Sequence, residues 1–166
     1  MASSARGALP GSAVSGVLNL PGFTGPNFFD PANHLVPPGF ENSSSATVNI
    51  SVGQSEFGYQ DSANFIVADF GSTTFLLSDF STNGSAAQSL TFTDSAFSGL
   101  SLVKTNDTYP GGVTASLSGN TITLSTALFT SPGNFNAQFT LQAVPEPASL
   151  CILGCAGFLL LKRRRH

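Results

Sequence analysis

VTASLSGNTITLS, residues 113–125, decides the fold class. Val113, Ala115 and Leu117 alternate with Thr114 and Ser116; past Ser118, Gly119 and Asn120, a second alternating run begins at Thr121. A period of two puts neighbouring side chains on opposite faces of an extended strand. A short Gly-containing link between two such runs closes an antiparallel hairpin. The pattern recurs in ANFIVADF (63–70) and TTFLLSDF (73–80), joined by Gly71 and Ser72. It recurs again in Val48, Ile50 and Val52, and in Phe135, Ala137, Phe139 and Leu141, whose alternate positions are polar. Each run is expected to bury one face.

Strands of this length, punctuated by Gly, Asn, Ser and Pro, predict an all-β antiparallel β-sandwich of jelly-roll or immunoglobulin-like kind over residues 14–143. That span suits one domain with a two-layer core. No stretch before residue 144 reads as a long helix. Pro21, Pro26, Pro31, Pro37 and Pro38 predict that 21–40 is an irregular ordered loop or a broken edge, with Phe23, Phe28, Phe29 and Phe40 placed to pack over one end of the sandwich. Trp is absent and Phe abundant, so the core is expected to be Phe, Leu, Val and Ile.

Charged residues make up only 9% of the chain, against about 25% in a typical globular protein. Before residue 144 the only cations are Arg6 and Lys104, outnumbered by carboxylates. An acidic body without clustered Lys or Arg argues against nucleic acid as a partner.

The chain ends VPEPASLCILGCAGFLLLKRRRH (144–166). Pro145 and Pro147 hold the backbone extended around Glu146. The apolar run 148–161 follows, and as a single C-terminal hydrophobic helix it reaches about 21 Å against a bilayer core of roughly 30 Å. Snorkelling of Lys162, Arg163, Arg164 and Arg165 and local thinning accommodate so short a span. The basic cluster marks a cytoplasmic flank, and the absence of a polar face between Leu150 and Leu161 argues against a soluble helix. Cys151 and Cys155 share one face of this segment; they read as small hydrophobes and receive no function.

Pro-Glu-Pro, a hydrophobic segment and a terminal Arg cluster, in that order, resemble the PEP-CTERM sorting signal of exported bacterial proteins, a tail also called the ice-binding protein C-terminal domain. The resemblance is confined to 144–166. It implies export across the inner membrane, temporary anchoring there, recognition of Pro145, Glu146 and Pro147 by a membrane-embedded exosortase, and delivery to the cell surface or extracellular matrix. Arg163 to Arg165 match its basic anchor. Residues 1–13 offer Arg6 and then Pro10, Gly11 and Ser12, without a signal-peptide h-region; the expectation is a start that is misplaced or truncated relative to an export signal.

Catalytic parts are scarce. His34 and His166 are the only histidines, and no GxSxG elbow accompanies a His34–Asp30–Ser arrangement; His34 is read as a solvated loop residue. No carboxylate pair is singled out by spacing. Asp61, Asp69, Asp79 and Asp94 belong to no calcium-loop motif and are read as solvated turn carboxylates. Sequons at Asn42, Asn49, Asn83 and Asn106 reflect composition. The chain is therefore expected to be non-enzymatic and free of cofactors and metals. Two alternative activities are a carbohydrate-binding module, stacking polysaccharide on Tyr59, Tyr109 and loop phenylalanines, and an ice-binding face. The latter needs regularly spaced Thr; TVNIS, TFT and TITLST alternate Thr without a fixed repeat.

Overall fold

The computed structural model describes residues 9–23 and 25–144. The strands are β1 (Ala13–Asn19), β2 (Thr47–Asn49), β3 (Phe57–Gln60), β4 (Asn64–Phe70), β5 (Thr74–Ser81), β6 (Gln88–Thr93), β7 (Leu100–Asp107), β8 (Val113–Ser118), β9 (Thr121–Thr126) and β10 (Gly133–Ala143). They form two five-stranded sheets, β2-β1-β6-β9-β8 and β3-β4-β5-β10-β7, antiparallel throughout. The protein is all-β, and its two antiparallel sheets share one core in the manner of a β-sandwich. Short 3-10 turns at Glu41–Ser43 and Ser95–Phe97 are the helical elements among the described residues.

The expected hairpins form. Ser118 pairs with Thr121, leaving Gly119 and Asn120 as a two-residue turn whose first position has φ +60°, a value that favours glycine. Phe70 pairs with Phe75 across a turn closed by the Gly71 N–H to Thr74 O at 2.9 Å.

Phenylalanines join the sheets. Phe92 on β6, the middle strand of the first sheet, meets Phe57, Phe70 and Phe75 of the second sheet at ring-centroid distances of 5.4, 5.3 and 5.2 Å. Gly16 on β1 permits this closeness, because a Cβ there would overlap the Phe57 ring. The core extends back to Leu9, which is buried.

The Pro-rich loop is irregular, as expected, but it is tied down. Phe28 and Phe29 are buried, while Phe23 is 63% exposed. Asn27 accepts from the backbone of Leu18 and Phe29 and donates to Gly16 O, satisfying part of the open flank of β1 as a strand would. Asn42 donates to Phe29 O and Gly58 O and accepts from Gly58 N. Fully buried, this sequon asparagine stitches the loop to β3.

Two expectations about buried faces need correction. Val52 is 70% exposed, because β2 ends at Asn49 and the chain turns through Ser51–Gln54 with Gly53 at φ +83°. Ala115 is exposed and Leu117 only half-buried, because β8 is an edge strand and buries little beyond Val113. The apolar segment 148–161, the tripeptide Pro145–Glu146–Pro147 and the cluster Lys162, Arg163, Arg164 and Arg165 lie outside the described residues. Among the described residues no helix is long and apolar enough to cross a membrane.

Candidate functional site

His34 is half-buried and packed against aromatic rings, where a freely solvated loop residue was expected. Its ring stacks on Phe28 with centroids 4.1 Å apart and meets Tyr59 edge-on, and its Nε2 is buried without a hydrogen-bond partner. The Asp30 carboxylate accepts instead from the Ala32 N–H at 2.9 Å, an Asx turn. Asp30, His34 and a serine are thus not assembled into a triad. Among the described residues no three His, Cys, Asp or Glu side chains converge as a metal group would require.

The aspartates divide into two kinds. Asp61 is a turn carboxylate, as expected. Burial pushes it up, but N–H bonds from Ala63 and Asn64, with further bonds from the Asn64 side chain and the Tyr59 hydroxyl, hold it below its ordinary value. Asp69, on the outer side of β4, is raised by partial burial. Asp79 and Asp94 depart from the expectation of solvation, being 1% and 3% exposed. Asp79 lies between the sheets, where Gln88 Nε2 donates to one oxygen and the other has no partner. Burial raises it to about 6, against the Gln88 and Ser85 hydrogen bonds, with the Asp61 charge adding to the rise. Asp94 caps the turn Ser95–Phe97 through the Ala96 N–H and receives the Ser12 hydroxyl. A sequence signal for both existed: Asp79 is in phase with Phe75 and Leu77, and Asp94 with Leu90 and Phe92.

Tyr59 and Tyr109 are not exposed platforms for sugar rings; they are 6% and 5% exposed. The Tyr59 hydroxyl donates to Asp61, and burial, together with that carboxylate, lifts it to about 12. Burial, then the charges of Asp79 and Asp107, raise Tyr109. Exposed Phe23, with Tyr59, Asp61, Asn64 and Ser85, lines a cleft of about 230 Å³ at one end of the sandwich.

The outer faces of the sheets differ in chemistry. On the second sheet, Phe65 stands opposite Phe80 in register, Phe40 packs over Gly58 and meets Phe65 edge-on at 5.8 Å, and Asn136 accepts from the Ser78 hydroxyl. Phe80 is 46% exposed. On the first sheet the cross-strand register lines up three rows: Thr47–Ser15–Thr93–Thr121–Ser118, Val17–Thr91–Thr123–Ser116 and Asn19–Ser89–Ser125–Thr114. None of these side chains is buried, and none is charged. The alternating Thr of TFT and TITLST is visible in the sequence, but its alignment into rows is not, because the rows are assembled from strands far apart in the chain.

The chain matches no protein-family model, no curated protein and no solved structure.

Proposed function

We propose that the chain is an exported, non-enzymatic protein of the cell surface or extracellular matrix, anchored in the inner membrane in transit by 148–161 and handled there by an exosortase that recognises Pro145–Glu146–Pro147. The tail sequence carries this reading. The end of the sandwich supports it: Val144 is held by its N–H to Gly99 O at 3.0 Å, so the tripeptide follows directly on the closing strand and a cut there would leave the fold intact. The low charge and hydroxyl-rich surface suit a protein working outside the cell. Of the two sandwich types, the jelly-roll is favoured, because the chain repeatedly crosses between sheets, at β2–β3, β5–β6, β6–β7, β7–β8 and β9–β10.

Replacing Pro145, Glu146 and Pro147 together by alanine is expected to leave the protein in the membrane fraction of an exosortase-bearing bacterial host. Normal release of that variant, followed by immunoblotting of membrane and culture medium, would sink the proposal.

A second reading, a polysaccharide-binding module, draws on the outer face of the second sheet, where Phe40, Phe65 and Phe80 adjoin Ser78 and Asn136. Rings that stack on sugar faces beside polar groups able to orient hydroxyls are the parts such a site needs. Phe65→Ala with Phe80→Ala is expected to abolish retention on immobilised polysaccharide without altering far-UV circular dichroism; equal retention of both proteins would remove this reading.

A further inference from the structure

The hydroxyl rows of the first sheet go beyond the sorting reading and do not depend on it. In a β-sheet, neighbouring strands lie about 4.8 Å apart and alternate residues on one strand about 6.8 Å apart. The three rows therefore form a two-dimensional lattice with those repeats. At its centre, T-x-T segments on β6 and β9 pair so that Thr91 faces Thr123 and Thr93 faces Thr121, making a rectangle of threonines. Row one extends it through Ser15 and Thr47, whose hydroxyls lie 2.7 Å apart, and the Thr93 and Thr121 hydroxyls lie 3.3 Å apart.

Two features narrow what such a face fits. It carries no charge, so it offers nothing to phosphate, to an ionic lipid surface or to a charged protein patch. It carries no aromatic ring, so it offers no stacking platform to a sugar. What remains is one hydroxyl at most positions, beside the methyl group of each threonine. A hydroxyl can donate once and accept twice. Those already paired, Ser15 with Thr47 and Thr93 with Thr121, and those that donate, Thr121 to the Asn120 side chain and Thr114 to Ser125 O, therefore keep acceptor capacity for a partner. β-branching restricts χ1, so the threonine oxygens hold their spacing in the absence of a ligand. A partner matching this surface must itself be a periodic array of small groups that both donate and accept. The oxygen lattice on a face of hexagonal ice has that chemistry and repeats close to both of the sheet's.

We infer that the outer face of β1, β6 and β9, centred on Thr91, Thr93, Thr121 and Thr123, binds ice. The twist between neighbouring strands confines the flat part of the lattice to these middle strands. Four of the six row threonines, Thr91, Thr93, Thr121 and Thr123, sit on β6 and β9, whereas β1 adds Ser15, Val17 and Asn19 and serines predominate at the β8 edge.

The full chain is expected to facet ice crystals growing in supercooled solution and to produce thermal hysteresis. Thr91→Lys with Thr123→Lys should abolish both while the melting temperature is kept; Gln138→Lys with Gln142→Lys, on the opposite sheet, should leave both intact. If the double variant fails to fold, Thr123→Lys alone, at an exposed position, carries the same test. Unfaceted crystals with the unaltered chain would overturn the inference. So would faceting that survives the threonine substitutions, or a dimer or a polysaccharide complex that those same substitutions disrupt.

Discussion

Phe92→Ala is expected to cost about 3–5 kcal/mol of stability and to lower Tm by on the order of 10–20 °C, measured by thermal melting with circular dichroism. Phe92 is fully buried on the middle strand of its sheet, and its ring is where separately stabilised parts of the fold meet. It packs against Phe57, Phe70 and Phe75 of the opposite sheet and against Phe29 of the Pro-rich loop. Truncation removes the transfer energy of a benzyl group and leaves a cavity that rings held by three strands cannot collapse to fill. Phe23→Ala is the control. That ring is 63% exposed, and its loss should change stability by no more than about 0.5 kcal/mol. Equal effects of the two substitutions would mean that the sheets are not joined through Phe92.

How far the fold could be read from the sequence follows from which constraints are local. The β8–β9 hairpin was legible because one residue, Gly119, supplies the positive φ its turn needs. Burial was legible where a strand lies inside a sheet, as at Phe139 and Leu141 on β10, but not at Ala115, because alternation does not say which strand will be an edge. Val52 continues an alternation that the chain abandons at Ser51. Asn27 and Asn42 look like loop polarity in the sequence; in the fold they take the place of missing strand partners, which only the positions of Gly16, Leu18, Phe29 and Gly58 reveal.

The candidate surfaces divide along the same line. The sorting tripeptide is contiguous and needs no fold to be read. The hydroxyl lattice is legible in the sequence only along single strands, as in TFT and TITLST, because Thr47, Ser15, Thr93, Thr121 and Ser118 become one row through four registers, three of them set by long-range pairing. A search for an internal repeat cannot find it, since the period exists across strands and not along the chain. Asp79 and Asp94 are the intermediate case. Their strand phase marked them as inward, yet carboxylates so close to strand ends read as turn residues until the sheets close over them.

The second large effect concerns Glu56, which no pattern singled out. It is fully buried just before β3. One carboxylate oxygen accepts the Ser51 N–H at 2.9 Å and the other the Phe70 N–H at 2.7 Å, closing the turn after β2 onto the end of β4. Glu56→Leu keeps the bulk and accepts nothing, leaving two backbone N–H groups unpaired at roughly 1–3 kcal/mol each. The charge adds a pH signature. Burial raises Glu56 from 4.5 to about 7, against the bonds from Phe70 and Ser51, with the Asp69 carboxylate adding to the rise. A buried acid that holds its proton more tightly folded than unfolded contributes stability that is complete below about pH 4.5 and is lost as the pH climbs through about 7. Asp79, raised to about 6, acts in the same direction. Asp61 and Asp107, both lowered, act oppositely, but their contribution is lost only below their ordinary value of 3.8. Denaturant midpoints should therefore be higher at pH 5 than at pH 8. Glu56→Gln cannot titrate and presents an amide donor to one of the two N–H groups; it should be less stable at pH 5 and lose less on going to pH 8. A midpoint that rises between pH 5 and pH 8 in the unaltered protein would show that the two N–H bonds outweigh burial and that Glu56 stays ionised inside the fold.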